Sequence, residues 1–226
     1  MNDKQRVAIE AAKQVESGML VGLGTGSTAN YFIEELARRA QEDNLQLTTV
    51  SSSVVSAVKA AEVGLPLISI EQVSKLDLYV DGADEVTPDL TVLKGQGADL
   101  VREKLLAKAC HQFIVLVDQS KRVHHIGERF PVPVEVLPFA WKMVQQSLEE
   151  LGGRGCLRQN ANQDGFAVSS HGSLILDVEF DADRHVDALN NVLNATPGIV
   201  EHGIFSGLAS VVYVGVDGKV EEHLPS

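Results

Sequence analysis

Apolar residues recur along this chain with two rhythms, and the change between them falls near Phe130. Before it, short apolar runs alternate with stretches of helical period, the pattern of a parallel sheet flanked by helices. A helix is predicted from Asp3 to Glu16, stopped by Gly18, then a strand from Met19 to Leu23 that runs into the glycine-rich turn Gly22 to Gly26. A helix from Thr28 to Ala40 follows, then a strand from Leu47 to Val50 ending in Ser51, Ser52 and Ser53. Next come a helix reaching Gly64, a strand from Pro66 to Ile70, and a strand from Leu76 to Val80 that delivers Asp81, Gly82, Ala83, Asp84 and Glu85. A short strand ends at Lys94, a helix spans Asp99 to Cys110, and an apolar strand runs from Phe113 to Val117.

Beyond Phe130, Val132 to Val136 alternates as a strand, Ala140 to Leu151 is an amphipathic helix closed by Gly152, and Gly155 to Arg158 is a short strand. Ser173 to Phe180 is a strand, Arg184 to Asn194 a helix and Gly198 to Glu201 a strand. That order, β-α-β-β-α-β, is the ferredoxin-like split unit, with Phe139 and Trp141 read as its core. Ser210 to Val216, Asp217-Gly218 and Lys219 to Glu222 read as a hairpin returning to the first sheet. The expected architecture is therefore α/β: a Rossmann-like parallel-sheet domain (1–129 and 205–226) and a smaller ferredoxin-like α+β domain (130–204). No internal repeat or low-complexity segment interrupts it.

Composition narrows the function classes. The two cysteines, Cys110 and Cys156, lie far apart and outside any ligand spacing, which argues against a disulfide framework or a structural zinc and fits a reducing compartment. The first residues carry no apolar leader-like run, and no apolar stretch approaches a membrane span, so a soluble, cytoplasmic protein is expected. A formal net charge of -12 without a basic block argues against nucleic acid as a partner. It also requires that any anionic substrate meet local positive potential.

The turn Gly22-Leu23-Gly24-Thr25-Gly26-Ser27-Thr28-Ala29 contains GxGxxA between a strand and a helix. A dinucleotide site would want an acid at the end of the second strand, where Ser51 to Ser53 stand, and a P-loop would want a lysine after Gly26. What remains is a set of backbone N–H groups and hydroxyls at a helix start, suited to a phosphate monoester; a tight turn with Ser27 or Thr28 as N-cap is the other reading. Asp81, Asp84 and Glu85 place three carboxylates at a strand end, for sugar hydroxyls and proton transfer or for magnesium; an Asp-Gly turn with solvated acids is the bland reading, outweighed by the position at the end of a buried-looking strand. Lys94-Gly95-Gln96-Gly97 is a second glycine turn, whose lysine suits a developing oxyanion or the solvent. Glu103 has Leu100, Leu106 and Ala107 as helical neighbours, so its carboxylate is expected toward an apolar face, where a raised pKa would suit a general base; a solvated glutamate in a charged helix is the other reading. The seven histidines show no metal-ligand spacing, and Lys121 is a further cation at a strand end.

Taken together, these residues resemble one family, the type A ribose-5-phosphate isomerases. The likeness runs through GLGTGST at Gly22 to Thr28, Ser51 to Ser53, YVDGADE at Tyr79 to Glu85, KGxGA at Lys94 to Ala98 and REK at Arg102 to Lys104. It continues through Ser120-Lys121, FPVPVEVLP at Phe130 to Pro138 and LGGR at Leu151 to Arg154. The resemblance implies an isomerase of the pentose phosphate pathway that interconverts ribose 5-phosphate and ribulose 5-phosphate through an enediolate, with no metal, no cofactor and a homodimer or larger assembly. It implies substrate contacts at Thr25, Gly26, Ser27, Thr28, Asp81, Gly82, Ala83, Asp84, Lys94, Gly95, Gln96, Gly97 and Lys121. Glu103 would be the proton-transferring base, Lys94 the oxyanion partner and Asp81 the group that opens the ring and moves protons between oxygens. Gln96 and Asp99 depart from the family pattern, and whether Lys4, Lys121 or only backbone groups meet the phosphate stays open. A sugar-phosphate sensor module would need the phosphate turn but not Glu103, and an acyl transferase acting on coenzyme A would use a glutamate as nucleophile.

Overall fold

The computed structural model describes residues 1–182 and 184–225, which divide into two compact units. The first comprises Met1–Ala83, Arg102–Arg122 and the stretch from Gly207 onward; the second comprises Asp84–Val101 and Val123–Ser206. In chain order the first unit begins with α1 (Asp3–Lys13), β1 (Leu20–Leu23), α2 (Ser27–Glu42), β2 (Thr48–Ser51), α3 (Val54–Glu62), β3 (Leu67–Ile68) and β4 (Leu76–Gly82). The short strands β5 (Glu85–Val86) and β6 (Val92–Leu93) follow, then α4 (Leu100–Ala109) and β7 (Cys110–Asp118). The second unit continues with β8 (Val132–Val136), α5 (Trp141–Glu150), β9 (Arg154–Leu157), β10 (Leu174–Glu179), α6 (Val186–Ala195), β11 (Ile199–His202) and β12 (Ile204–Phe205). A hairpin of β13 (Val211–Val216) and β14 (Lys219–His223) closes the chain.

The first unit is built on a seven-stranded sheet in the order β14-β13-β7-β4-β1-β2-β3, parallel throughout except for β14. Its first helix forms where the sequence supplies a cap and an apolar stripe. Asn2 accepts from the Gln5 amide and Gln5 returns the bond, each at 2.9 Å, and α1 then buries Val7, Ala8, Ala11 and Ala12. Those residues join Phe32, Ile33 and Leu36 of α2 over Val21, Leu23, Val80 and Ile114 of the sheet. The final hairpin turns at Asp217 and Gly218, both at positive φ (46° and 78°), the conformation that matches strand twist, and it returns to the first sheet as expected, with β13 beside β7. The expected strand Pro66 to Ile70 is shorter: β3 has two residues, and Ile70–Gln72 turns into a 3-10 helix.

In the second unit a four-stranded antiparallel sheet has the order β11-β8-β10-β9, the ferredoxin-like arrangement expected of its β-α-β-β-α-β sequence. Val132, Val134 and Val136 of β8 alternate onto the helix-covered face with Val144, Leu148, Leu189 and Leu193. Pro133 and Glu135 point to the other face. A second, three-stranded sheet has the order β12-β6-β5. Phe139, expected in this core, is 80% exposed because it precedes α5 in a 3-10 turn, while Trp141 packs half-buried against the core. Among the described residues no helix is long and apolar enough to cross a membrane.

Candidate active site

Because β1, β2, β4 and β7 are parallel, their carboxyl ends lie on one edge of the first unit's sheet, where ligands of such sheets bind. That edge carries the turn after β1, the serines ending β2, Asp81 and Gly82 ending β4, and Lys121 in a short turn after β7. The Gly24 amide donates to the Val80 carbonyl at 2.9 Å, drawing the turn toward β4, and a Cβ on Gly24 would overlap the Asp81 side chain. Gly24 is thus required for contact with Asp81. The carboxylate of Asp81, fully buried, accepts from the amides of Thr25 (3.0 Å) and Gly82 (2.7 Å) through Oδ1 and from the Tyr79 hydroxyl through Oδ2. Thr25 Oγ1 donates to Ser53 Oγ at 2.6 Å and lies 3.1 Å from Ser52 Oγ, so the serines stand where an acid would hold a dinucleotide ribose and instead brace the turn. Ser53 also caps α3.

The open end of this turn is the start of α2. Gly26, at φ 110°, is the N-cap and has no side chain to offer, so Ser27 and Thr28 are the first helical residues rather than caps. Neither predicted capping role for Ser27 or Thr28 is realised. Helix-start amides without a side-chain cap favour an anion, and Lys4 Nζ donates to Ser27 Oγ at 3.0 Å, adding a cation from α1.

Glu103 lies on the side of α4 that is buried, with 6% exposure beside Leu100, Leu106 and Ala107, as its spacing predicts; Lys104 is buried too, at 3%. Tyr79 occupies the position two before Asp81 on β4, on the same face, and its ring stacks on Phe113 of β7 at 5.0 Å between centroids. Burial first, then the charges of Asp81 and Glu103, push the Tyr79 hydroxyl well above the usual phenol range. The charges of Asp81 on β4 and Glu103 on α4 thus both act on the Tyr79 hydroxyl.

Asp84, Glu85 and Lys94 to Gly97 belong to the second unit. Asp84 accepts from the Gln96 amide at 3.3 Å and donates its own amide to the Leu93 carbonyl at 2.8 Å, so it holds the second glycine loop. Glu85 corrects the expectation of three functional carboxylates. At the start of β5 it is fully buried and accepts the amides of Gly127 (2.7 Å), Arg129 (2.6 Å) and Phe130 (2.9 Å), tying down the 127–130 loop. Lys94 is 4% exposed, with Nζ 5.9 Å from the centre of the Phe205 ring and its amide bound to the Gly203 carbonyl at 2.9 Å. It is not a solvated surface lysine. Gly95 is required at φ 105° against Leu100 and Pro133, whereas Gln96 and Gly97 are exposed. Asp99 accepts from Ser170 Oγ at 2.6 Å.

Sequence reasoning passed over Tyr79, for which the i, i+2 relation to Asp81 was the available signal, and Arg158, for which there was none. Among the described residues no group of three His, Cys, Asp or Glu side chains is placed to hold a metal ion.

Residues 48–219 match the family model of ribose 5-phosphate isomerase A (phosphoriboisomerase A). The ribose-5-phosphate isomerase A of Thermosynechococcus vestitus is 45% identical over 96% of this chain and 93% of its own length, and that of Thermococcus kodakarensis 42% identical over 96% of both. The solved structure of ribose 5-phosphate isomerase A from Methanocaldococcus jannaschii superposes with a TM-score of 0.93 at 38% identity, covering 98% of each chain. A D-ribose-5-phosphate isomerase solved in complex with phospho-erythronic acid gives 0.95 at 37% identity over 99% of this chain and 100% of that one. With this agreement along nearly its whole length, the chain is an isomerase that belongs to the ribose 5-phosphate isomerase A family.

Proposed function

We propose that this chain interconverts ribose 5-phosphate and ribulose 5-phosphate through an enediolate, with Glu103 as the proton-transferring base. The observation that carries the reading is a glutamate 6% exposed on the apolar side of α4, electrically coupled to the buried Tyr79–Asp81 pair. A shielded carboxylate is the group that moving a carbonyl between C1 and C2 calls for. Glu103 takes the proton from C2 of the open-chain aldose; the electrons of that C–H bond form the C1–C2 double bond and the carbonyl oxygen becomes an oxyanion. Return of the proton to C1, with transfer of the hydroxyl proton from O2 to O1, completes the ketose.

The other residues fall into supporting roles. Lys94, buried, is assigned to the developing oxyanion, where a fixed charge is worth more than in water. Asp81, already accepting the Tyr79 hydroxyl, serves ring opening and proton movement between oxygens, and Asp84 with the Gly95 to Gly97 backbone receives sugar hydroxyls. The phosphate is assigned to the α2 start, at Gly26, Ser27 and Thr28, with Lys4 as the nearest cation there; Lys121 serves the same sheet edge. No step calls for a cofactor. A homodimer or larger assembly in the cytoplasm follows from the resemblance, and light scattering in solution checks the assembly.

The deciding experiment is incubation with ribose 5-phosphate alone in deuterium oxide. Ribulose 5-phosphate is expected, with solvent deuterium at C1 of the ketose or C2 of recovered aldose to the extent that the Glu103 carboxyl exchanges its proton before returning it; no ketose would end the proposal. Phospho-erythronic acid, which joins a carboxylate to a phosphate as the enediolate joins an oxyanion to one, is expected to compete with substrate.

A further inference from the structure

We propose that Arg158 is a positioning residue for the reaction, acting through the loop that carries Lys94; the inference rests on the reading of Lys94 given above. Arg158 follows β9 on the ferredoxin-like unit, and its own backbone is pinned, its amide to the Ile175 carbonyl (2.8 Å) and its carbonyl to the Ala167 amide (2.9 Å). Its guanidinium meets Asp177 of β10 in a two-point fork, Nε to Oδ2 at 2.8 Å and Nη2 to Oδ1 at 2.5 Å. The remaining corner, Nη1, donates to the carbonyls of both Gly95 (3.0 Å) and Gln96 (3.1 Å). Both side chains are mostly shielded, at 13% and 21% exposure, so the bridge is neither a solvent-exposed pair nor free to turn.

The consequence for the loop follows from peptide geometry. In a trans peptide the C=O and the next N–H point in opposite directions. Turning the Gly95 and Gln96 carbonyls toward Arg158 therefore turns the amides of Gln96 and Gly97 away from it. The Gln96 amide does point to Asp84 Oδ2, at 3.3 Å, and Gly97 lies exposed with nothing within 4 Å of where a Cβ would stand. The loop also holds Gly95 and Ala98 at positive φ (105° and 62°), the latter a strained conformation for a side-chain-bearing residue that persists only under outside constraint. Arg158 constrains one end, and Ser170 on Asp99 at 2.6 Å constrains the other. Lys94 sits directly beside the first clamped peptide. A methionine at 158 removes both carbonyl bonds, and a lysine keeps the charge but lacks the planar fork that reaches carboxylate and carbonyls at once.

The test combines kinetics with amide exchange. Arg158→Met is expected to fold, to lower kcat by roughly 10- to 100-fold with a smaller change in KM, and to speed exchange at the 95–99 amides. Arg158→Lys should resemble Arg158→Met, and Asp177→Asn, which loosens the fork while keeping its shape, should move both readouts in the same direction by less. In the Lys94→Met background the further loss from Arg158→Met should shrink to about two-fold or less, since a residue acting through Lys94 has little left to position. Multiplicative losses in the double variant, full rescue by Arg158→Lys, or a kcat for Arg158→Met within about two-fold of wild type would overturn the inference. Should the wild-type chain fail to convert ribose 5-phosphate, the functional reading falls by itself, and unchanged exchange at 95–99 in Arg158→Met would then sink the clamp independently.

Discussion

The turn at Gly24 to Thr28 and the loop at Lys94 to Asp99 are both glycine-rich passages into a helix, yet they are held in opposite ways. The first is secured by neighbours at adjacent strand ends of its own sheet: the Val80 carbonyl, Asp81, Ser52 and Ser53. A parallel sheet delivers such partners automatically, because its topology brings every strand's carboxyl end to one edge. The second leaves a two-residue strand, β6, and takes its anchors from residues 158, 170 and 203, far along the chain. A loop of the first kind is part of its unit's packing. A loop of the second kind is held by a few directed bonds, which can be cut without dismantling a core.

Four perturbations, in falling order of expected effect, test that contrast. Glu103→Gln keeps the size and hydrogen-bonding shape of the side chain and removes the capacity to accept a proton, so turnover should fall by about 10²- to 10⁴-fold while thermal unfolding stays near wild type. A folded Gln variant with more than about a tenth of wild-type turnover would strip Glu103 of its role. Lys94→Met removes the charge at the second loop; kcat should drop by roughly 10²- to 10³-fold with KM less affected, and a change confined to KM would make Lys94 a ground-state contact.

The third perturbation compares the loops directly. Gly24→Ala forces a Cβ into Asp81 and should cost about 1–3 kcal/mol of stability along with activity, whereas Gly97→Ala, in open space, should leave unfolding unchanged. Equal midpoints for the two variants would erase the distinction between a packed turn and a clamped loop. The fourth and smallest concerns Glu135, fully buried on β8, which accepts Ser169 Oγ at 2.6 Å and so fixes the 169–173 turn that presents Ser170 to Asp99. Burial raises its pKa above the ordinary carboxylate range, partly offset by bonds from Ser169 and Ser173 and the nearby His171, and reinforced by Glu201. A folded-state pKa above the unfolded one means a contribution fully present below the unfolded pKa and lost as pH rises through the folded one. Glu135→Gln should thus raise the neutral-pH unfolding midpoint and give no gain in acid, below the ordinary carboxylate range. A gain that persists in acid would mean the effect is packing, not charge.

Legibility in the sequence followed sequence distance. Glu103 could be placed because its burial partners, Leu100, Leu106 and Ala107, share its own helix. The β1 turn could be read because strand, glycines and helix are consecutive. Glu85 could not be told from Asp84 by composition, since three amides 42 to 45 residues away decide its use. Phe139 looked like core by residue type and is exposed.

The sequence alone determined the parallel order of the first unit, the ferredoxin-like arrangement of the second and the chemistry-bearing residue types, because hydrophobic period, glycine turns and helix spacing are local properties of a chain. Only the tertiary structure decided what each polar group is used for. It made Asp81 the holder of the first turn and Glu85 the holder of the 127–130 loop, left the α2 start open beside Lys4, and set Arg158 against the loop next to Lys94. A buried carboxylate or guanidinium takes its role from whichever donors and acceptors folding brings within about 3 Å, and sequence spacing carries no information about that once the partners are many residues apart.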